Sequence, residues 1–257
     1  MKILFVLQGA SFREGGQFST TRGTPGSYNE QMEACKSHMF FFDLLIRNGY
    51  DVNVLINTYH TDYIDDLKNI YGNYLKETSV HHNLLGLENL FLVSLDMICR
   101  NNLNEYDLVY FIRIDLLLKP TFTDAFMYMD NKIRVSFICT KIFGWHCIKY
   151  NKRIIPRIAD MLLQIPKKYF YLIENKRITL THHTYEDLLN NGIPMEEIDF
   201  MLDTYHDSDS AKDYNPFYRI VNRPENRIWL SEGSKIYEDN TFECISYRGQ
   251  CYYTTDG

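Results

Sequence analysis

Apolar residues fall into short unbroken runs in the first half of the chain, with helically spaced patterns between them. The first run, Lys2-Ile3-Leu4-Phe5-Val6-Leu7, predicts a strand buried on both faces, as in the centre of a parallel sheet. A second strand is predicted over 51–57. A third follows the Tyr106-Asp107 step, where Leu108-Val109-Tyr110-Phe111-Ile112 runs on to Pro120. Between the first two, Met32, Cys35, Met39, Phe42 and Ile46 recur at helical spacing and predict a helix over 27–48. Ser27 with Glu30 three residues later reads as its capping box, and Gly49 as its stop. Strand, loop, helix and strand make a unit that calls for parallel pairing.

The later pattern is more mixed. Helices are predicted over 62–76 and 84–101, with the His81-His82 pair read as solvated surface before the second. A short helix is expected over 122–129. A strand is expected over 132–140, where Ile133, Val135, Phe137 and Cys139 alternate. Residues 156–169 read as a helix through Ile158, Met161 and Leu162. Thr184 is expected to cap a helix with Glu186 and Asp187 in its first turn, which Gly192 ends. A strand over 198–202 and resumed structure over 215–220 follow. The tail from residue 231 stays unassigned. With no repeat and no low-complexity linker, residues 1–257 read as a single domain.

Polar residues inside apolar runs carry the candidate chemistry. Arg113 and Asp115 interrupt the third strand two residues apart, so they point to the same side. A buried charge must be paired or bind something. The pair is either an internal salt bridge or a ligand site in which Asp115 holds a metal and Arg113 faces an anion. The first strand runs into Gln8-Gly9-Ala10-Ser11-Phe12-Arg13, a loop whose backbone N–H groups can cradle a phosphate, or a plain surface loop. No GxGxxG or GxxxxGK[ST] pattern occurs, so dinucleotide and P-loop readings fail. Trp145 stacks on a sugar ring or fills the core.

Composition narrows the class. The chain is 45% hydrophobic, with 20 Tyr and 16 Phe, which argues against a disordered protein. A net charge of −6 disfavours nucleic acid as a partner. Six cysteines without CxxC spacing make a zinc site unexpected and suit a reducing compartment, although Cys244 and Cys251 have the option of pairing in an oxidising one. No apolar run approaches the roughly 20 residues of a membrane helix. The expectation is a soluble, cytoplasmic protein.

Taken together, the strand ends at Gly9-Ala10-Ser11-Phe12-Arg13 and Asn57-Thr58-Tyr59-His60, and the Tyr106-Asp107 step leading to Arg113-Ile114-Asp115-Leu116, resemble glycosyltransferases of the GT-A type. The likeness is to WavE-like surface-polysaccharide enzymes and to glycosyltransferases of large DNA viruses, over residues 1 to about 225. It implies a nucleotide-diphospho-sugar transferase fold: α/β, one domain, a mixed but mostly parallel sheet flanked by helices. It implies a nucleotide diphosphate sugar donor held by Gly9, Ser11, Arg13, Thr58, Arg113 and Asp115, and a glycan acceptor. Asp115 stands where such enzymes place the last acid of a DxD motif, the ligand of Mn²⁺ or Mg²⁺. Arg113 stands where the first acid would be, and puts metal dependence in doubt, since an arginine itself neutralises a leaving diphosphate. His206, with Asp207 and Asp209, is a further metal-ligand candidate by position. Glu186, Asp187 and Asp203 are the candidates for the base an inverting enzyme needs. The alternative is a carbohydrate- or nucleotide-binding module that kept the fold without the chemistry.

Overall fold

The computed structural model describes residues 1–13, 25–122, 131–137, 162–181, 183–202, 218–221, 235–236 and 242–243. Strands β1 (Lys2–Gly9), β2 (Asp51–Tyr59), β3 (Leu75–His81) and β4 (Leu108–Arg113) pair in parallel. A three-residue strand, β5 (Leu116–Leu118), follows β4 outside the main sheet. Beyond β4 in the sheet come β7 (Leu162–Pro166), β6 (Ile133–Phe137) and β8 (Ile198–Leu202), giving the order β3-β2-β1-β4-β7-β6-β8. Strand β7 is antiparallel to both of its neighbours, while β6 and β8 are parallel. Six of the seven strands therefore share one direction, and the expectation of a mostly parallel sheet flanked by helices holds.

The runs at β1 and β4 are apolar throughout because both faces are covered. Ile3, Phe5 and Leu7 face helices α1 (Pro25–Arg47) and α2 (Ile64–Tyr71), while Leu4 and Val6 face α3 (Leu87–Arg100). Phe5 illustrates the packing: its ring lies 4.6 Å from that of Phe42 on α1 and 5.0 Å from that of Tyr110 on β4. Each such fully buried ring contributes about 1.5–3 kcal/mol of transfer free energy. Two short helices, α4 (Tyr171–Glu174) and α5 (Thr184–Asn190), pack on the α3 side through Leu172, Ile173, Tyr185 and Leu188.

Several sequence expectations are corrected. The helix expected over 156–169 is strand β7 from Leu162, then a 3₁₀ turn at Lys167–Tyr169; residues 156–161 lie outside the described residues. All five residues of β7 are buried, and its backbone pairs with both β4 and β6, which a helix would leave with open edges. The helix expected over 62–76 stops at Tyr71, and a turn closed by the Tyr74 N–H on the Tyr71 carbonyl leads into β3. Helix α1 begins at Pro25, whose missing N–H is harmless in a first turn, so the buried Ser27 is not the residue before the helix. Thr184 is the first residue of α5 and its hydroxyl donates to loop carbonyls of Thr179 and Thr181 rather than capping the helix. His81 is a strand residue hydrogen-bonded to Asn57, not solvated surface. The helix expected over 122–129, apart from Phe122, and Trp145 lie outside the described residues.

Candidate active site

The order of the strands fixes where a ligand fits. From β1 the chain builds outward through α1 to β2 and through α2 to β3. It then returns through α3 to the other side of β1, where β4 lies. Helices α1 and α3 sit on opposite faces. The order of the strands reverses between β1 and β4, and the carboxyl ends of strands at such a reversal are where open α/β sheets take ligands.

On the β1 side the strand ends at Gly9, at φ +118°, a conformation suited to glycine. A Cβ placed there would meet nothing within 4 Å, so the backbone borders open space. The next turn is braced internally. The Thr58 hydroxyl donates to the Gly9 carbonyl (2.7 Å) and accepts from the Ser11 N–H (3.3 Å) and hydroxyl (2.9 Å). Ser11 and Thr58 are fully buried, so their hydroxyls serve the turn. Phe12, at φ +52°, donates its N–H to Gln31 on α1, and Gln31 donates to the Ile114 carbonyl (2.8 Å). One buried amide thus ties the β1 turn to the residue between Arg113 and Asp115. Arg13 is half-buried at the end of this turn.

On the β4 side Arg113 Nε donates to Asp115 Oδ1 (2.9 Å) and Arg113 Nη2 to Asp115 Oδ2 (2.6 Å). The fork is planar and bidentate, the strongest arrangement such a pair has. Asp115 is 4% exposed in its side chain and Arg113 16%, so Arg113 is the less buried member of the pair. The Asp115 carbonyl accepts from Val221 N–H (2.9 Å), which anchors β9 (Tyr218–Ile220) against β5. Behind them His38 is entirely buried. Its Nε2 bonds the Leu116 carbonyl (2.6 Å) and its Nδ1 the Tyr71 hydroxyl (2.7 Å), and burial pulls its pKa down to about 4. The imidazole is therefore neutral, with Nε2 carrying the proton.

As described, this arrangement does not fit a divalent cation. Both Asp115 oxygens face a guanidinium that already supplies the positive charge. Among the described residues, no three His, Cys, Asp or Glu side chains gather. His206, Asp203, Asp207 and Asp209 lie outside the described residues.

Of the predicted donor residues, Gly9, Ser11, Arg13, Thr58, Arg113 and Asp115 come together at this one edge. Glu186 and Asp187 sit on α5, on the α3 side of the sheet. The Asp187 carboxylate accepts from both the N–H and the hydroxyl of Thr179, holding the loop before α5. Glu186 is 39% exposed beside His183. Strand β8 is parallel to β6 and so to β4, which brings Leu202 to the carboxyl edge immediately before Asp203 in sequence.

Sequence reasoning passed over a second polar network on the α3 face. Asn57 Nδ2 donates to the Leu90 carbonyl (2.7 Å) and to Ser94 Oγ (2.8 Å), Ser94 donates to Gln8 Oε1 (2.9 Å), and His81 Nε2 donates to Asn57 Oδ1 (2.7 Å). Its signal was present as single polar residues in otherwise apolar strands. Exposed His60 and His82 stack at 4.7 Å where β2 and β3 end.

No family model matches the chain, and no curated protein matches it in sequence. Solved structures share its outline at low identity. The catalytic domain of Drosophila beta-1,4-galactosyltransferase 7 in complex with xylobiose is 10% identical, with a TM-score of 0.43, over 86% of this chain and 70% of that one. A glycosyltransferase involved in glycosylation of the major capsid of PBCV-1 is 9% identical, with a TM-score of 0.39, over 79% and 81%. The inositol-1-phosphate CTP transferase of T. maritima is 16% identical, with a TM-score of 0.44, over 78% and 85%. Scores this low bear on neither fold nor function. No helix among the described residues is long and apolar enough to cross a membrane.

Proposed function

We propose that the chain is a glycosyltransferase of the GT-A type, moving a sugar from a nucleotide diphosphate donor to a glycan hydroxyl. The observation that carries the reading is the reversal of strand order between β1 and β4, with the open Gly9 turn at the end of one strand and the Arg113 guanidinium at the end of the other. In the reaction the bond between the anomeric carbon and the diphosphate oxygen breaks as the acceptor oxygen bonds to that carbon. The leaving diphosphate gains charge, and a pre-aimed guanidinium stabilises it without reorganising. Asp115 fixes the aim of Arg113, and Arg13 adds a second cation to the same edge.

A carboxylate takes the proton from the acceptor hydroxyl if the transfer inverts the anomeric centre. Asp203, the next residue in sequence after the end of β8, is one candidate for this role. Glu186 is the second candidate. Asp187 is already engaged with Thr179.

The test is a panel of nucleotide diphosphate sugars, followed for nucleoside diphosphate release with and without oligosaccharide acceptors. Acceptor-dependent release supports the transferase. Tight binding without any turnover supports the non-catalytic module instead, a reading the mutually neutralising Arg113–Asp115 pair favours. Absence of binding across the panel overturns both.

A further inference from the structure

Gln31 is a wholly buried amide on α1 that bonds the backbone at both strand ends of the candidate site. Its Oε1 accepts from the Phe12 N–H (3.2 Å). Its Nε2 donates to the Ile114 carbonyl (2.8 Å) and to the Cys35 sulfur (3.7 Å). A backbone N–H only donates and a backbone carbonyl only accepts, so the amide has one orientation. Turned over, it would lose both backbone bonds.

Both of the groups it holds need holding. Phe12 sits at φ +52°, in the left-handed region that bulky residues rarely enter, and its buried ring lies 5.8 Å from that of Tyr28 and 5.4 Å from that of Tyr63. Such a conformation costs free energy and persists only where the surroundings fix it. Ile114 is the single residue between the two members of the Arg113–Asp115 fork. Its N–H donates to the Gln8 carbonyl (2.9 Å) and its carbonyl accepts from Gln31, so the peptide that carries the fork is held from β1 and from α1 together. Helix α1 is itself fixed against β1, with Phe41 and Phe42 packed on the ring of Phe5. The amide therefore projects from a rigid element, as a group that sets the geometry of others must.

From these features we infer that Gln31 is a positioning residue for the transfer step: it fixes the backbone that aims Arg113 and locks that backbone to the Gly9–Arg13 turn. The inference rests on the glycosyltransferase reading above and deepens it. A pre-aimed guanidinium counts most where charge develops on the leaving diphosphate, and less in the ground-state complex. Loss of the Gln31 amide therefore shows in kcat more than in the KM for the donor. It also acts through Arg113, so its effect disappears once Arg113 has lost its fork.

The experiment is steady-state kinetics on the full chain, with the nucleotide diphosphate sugar of the panel that the wild type turns over, and with rates corrected for the folded fraction. Gln31→Met fills the space but removes both backbone bonds. It should lower kcat roughly tenfold or more, the scale of a misplaced catalytic group, with the donor KM within about threefold of wild type. In an Arg113→Lys background the same substitution should cost less than about twofold more, because the two residues act as one. Gln31→Glu keeps the test alive if Gln31→Met fails to fold. Its neutral carboxyl has one donor and one acceptor and reproduces both bonds, whereas its ionised form has no donor, and burial delays that ionisation to higher pH. Its turnover should match wild type at the acid end and fall behind it as pH rises. Unchanged kcat in folded Gln31→Met, losses that multiply fully with Arg113→Lys, or a Gln31→Glu deficit equal at every pH overturns the assignment and leaves the transferase reading standing. If the wild type turns over none of the panel, the transferase reading fails and the assignment goes with it.

Discussion

Arg113 and Asp115 neutralise each other in a bidentate pair, so replacing either leaves the other exposed to a different penalty. Asp115→Asn removes the carboxylate charge that both arms of the Arg113 fork bond in a largely buried place, and the loss expected is about 3–5 kcal/mol of stability. Arg113→Lys keeps the charge but loses the fork, and transfer should fall by roughly tenfold or more because the cation is no longer aimed. Urea melts and turnover on both variants separate the roles; full activity in Arg113→Lys removes the guanidinium from the mechanism. On the acceptor side, Asp203→Asn is expected to lower turnover by roughly 10²–10⁴-fold. Asp187→Asn should instead cost about 1–3 kcal/mol of stability through the lost Thr179 bonds, with turnover kept.

His38 makes stability depend on pH in a defined direction. The folded imidazole, enclosed by Tyr71, Cys35, the Leu116 carbonyl and the nearby Asp115, takes up a proton only at about 4. The unfolded chain takes it up near the ordinary value of about 6.5. Above pH 6.5 neither state binds the proton and His38 contributes no slope. As pH falls from 6.5 to 4, the unfolded state alone is protonated and stability declines by up to about 1.4 kcal/mol per pH unit. Denaturant midpoints measured across that window should show this slope in the wild type and a shallower one in His38→Gln. Identical slopes would mean that the ring charges freely in the fold.

At the scale of elements, the centre of the sheet was legible in the sequence and its flanks were not. Strands β1, β2 and β4 are buried on both faces, and a strand in that position has to be an apolar run. Strand β3 is an edge strand, half-buried over Leu75–His81, so its Lys-Glu-Thr-Ser core carried no strand signal. Strand β7 is five residues long, and so short an apolar run does not distinguish strand from helix. Within the site, Arg113 and Asp115 announced themselves as charges in an apolar run. That they bond each other is one of the two outcomes their two-residue spacing allowed, whereas the bond from Ser94 to Gln8 spans 86 residues of chain that spacing does not encode. Gly9 tests the turn as an element. Gly9→Ala has room for its methyl group but not for φ +118°, so about 1–3 kcal/mol of strain is expected together with weakened donor binding. Unchanged donor affinity in a folded Gly9→Ala protein would take the turn out of the site.

At the scale of the whole molecule, the proposed chemistry lies at the edge of the sheet towards which six of its seven strands point. Helices α1 and α3 close the two faces, and the order of the strands reverses between β1 and β4. The same logic sets apart a second pocket of about 270 Å³ between α1 and the end of β5, lined by Ser37, Phe40, Phe41, Leu118, Lys119 and Pro120. It is apolar and lies away from the Gly9 turn. Amide hydrogen exchange on the full chain, with and without a saturating nucleotide diphosphate sugar, distinguishes the two places directly. The account predicts slowed exchange over residues 8–13 and 111–116, with residues 37–41 unaffected. Protection confined to residues 37–41 and 118–120, or none near residues 8–13, would contradict it.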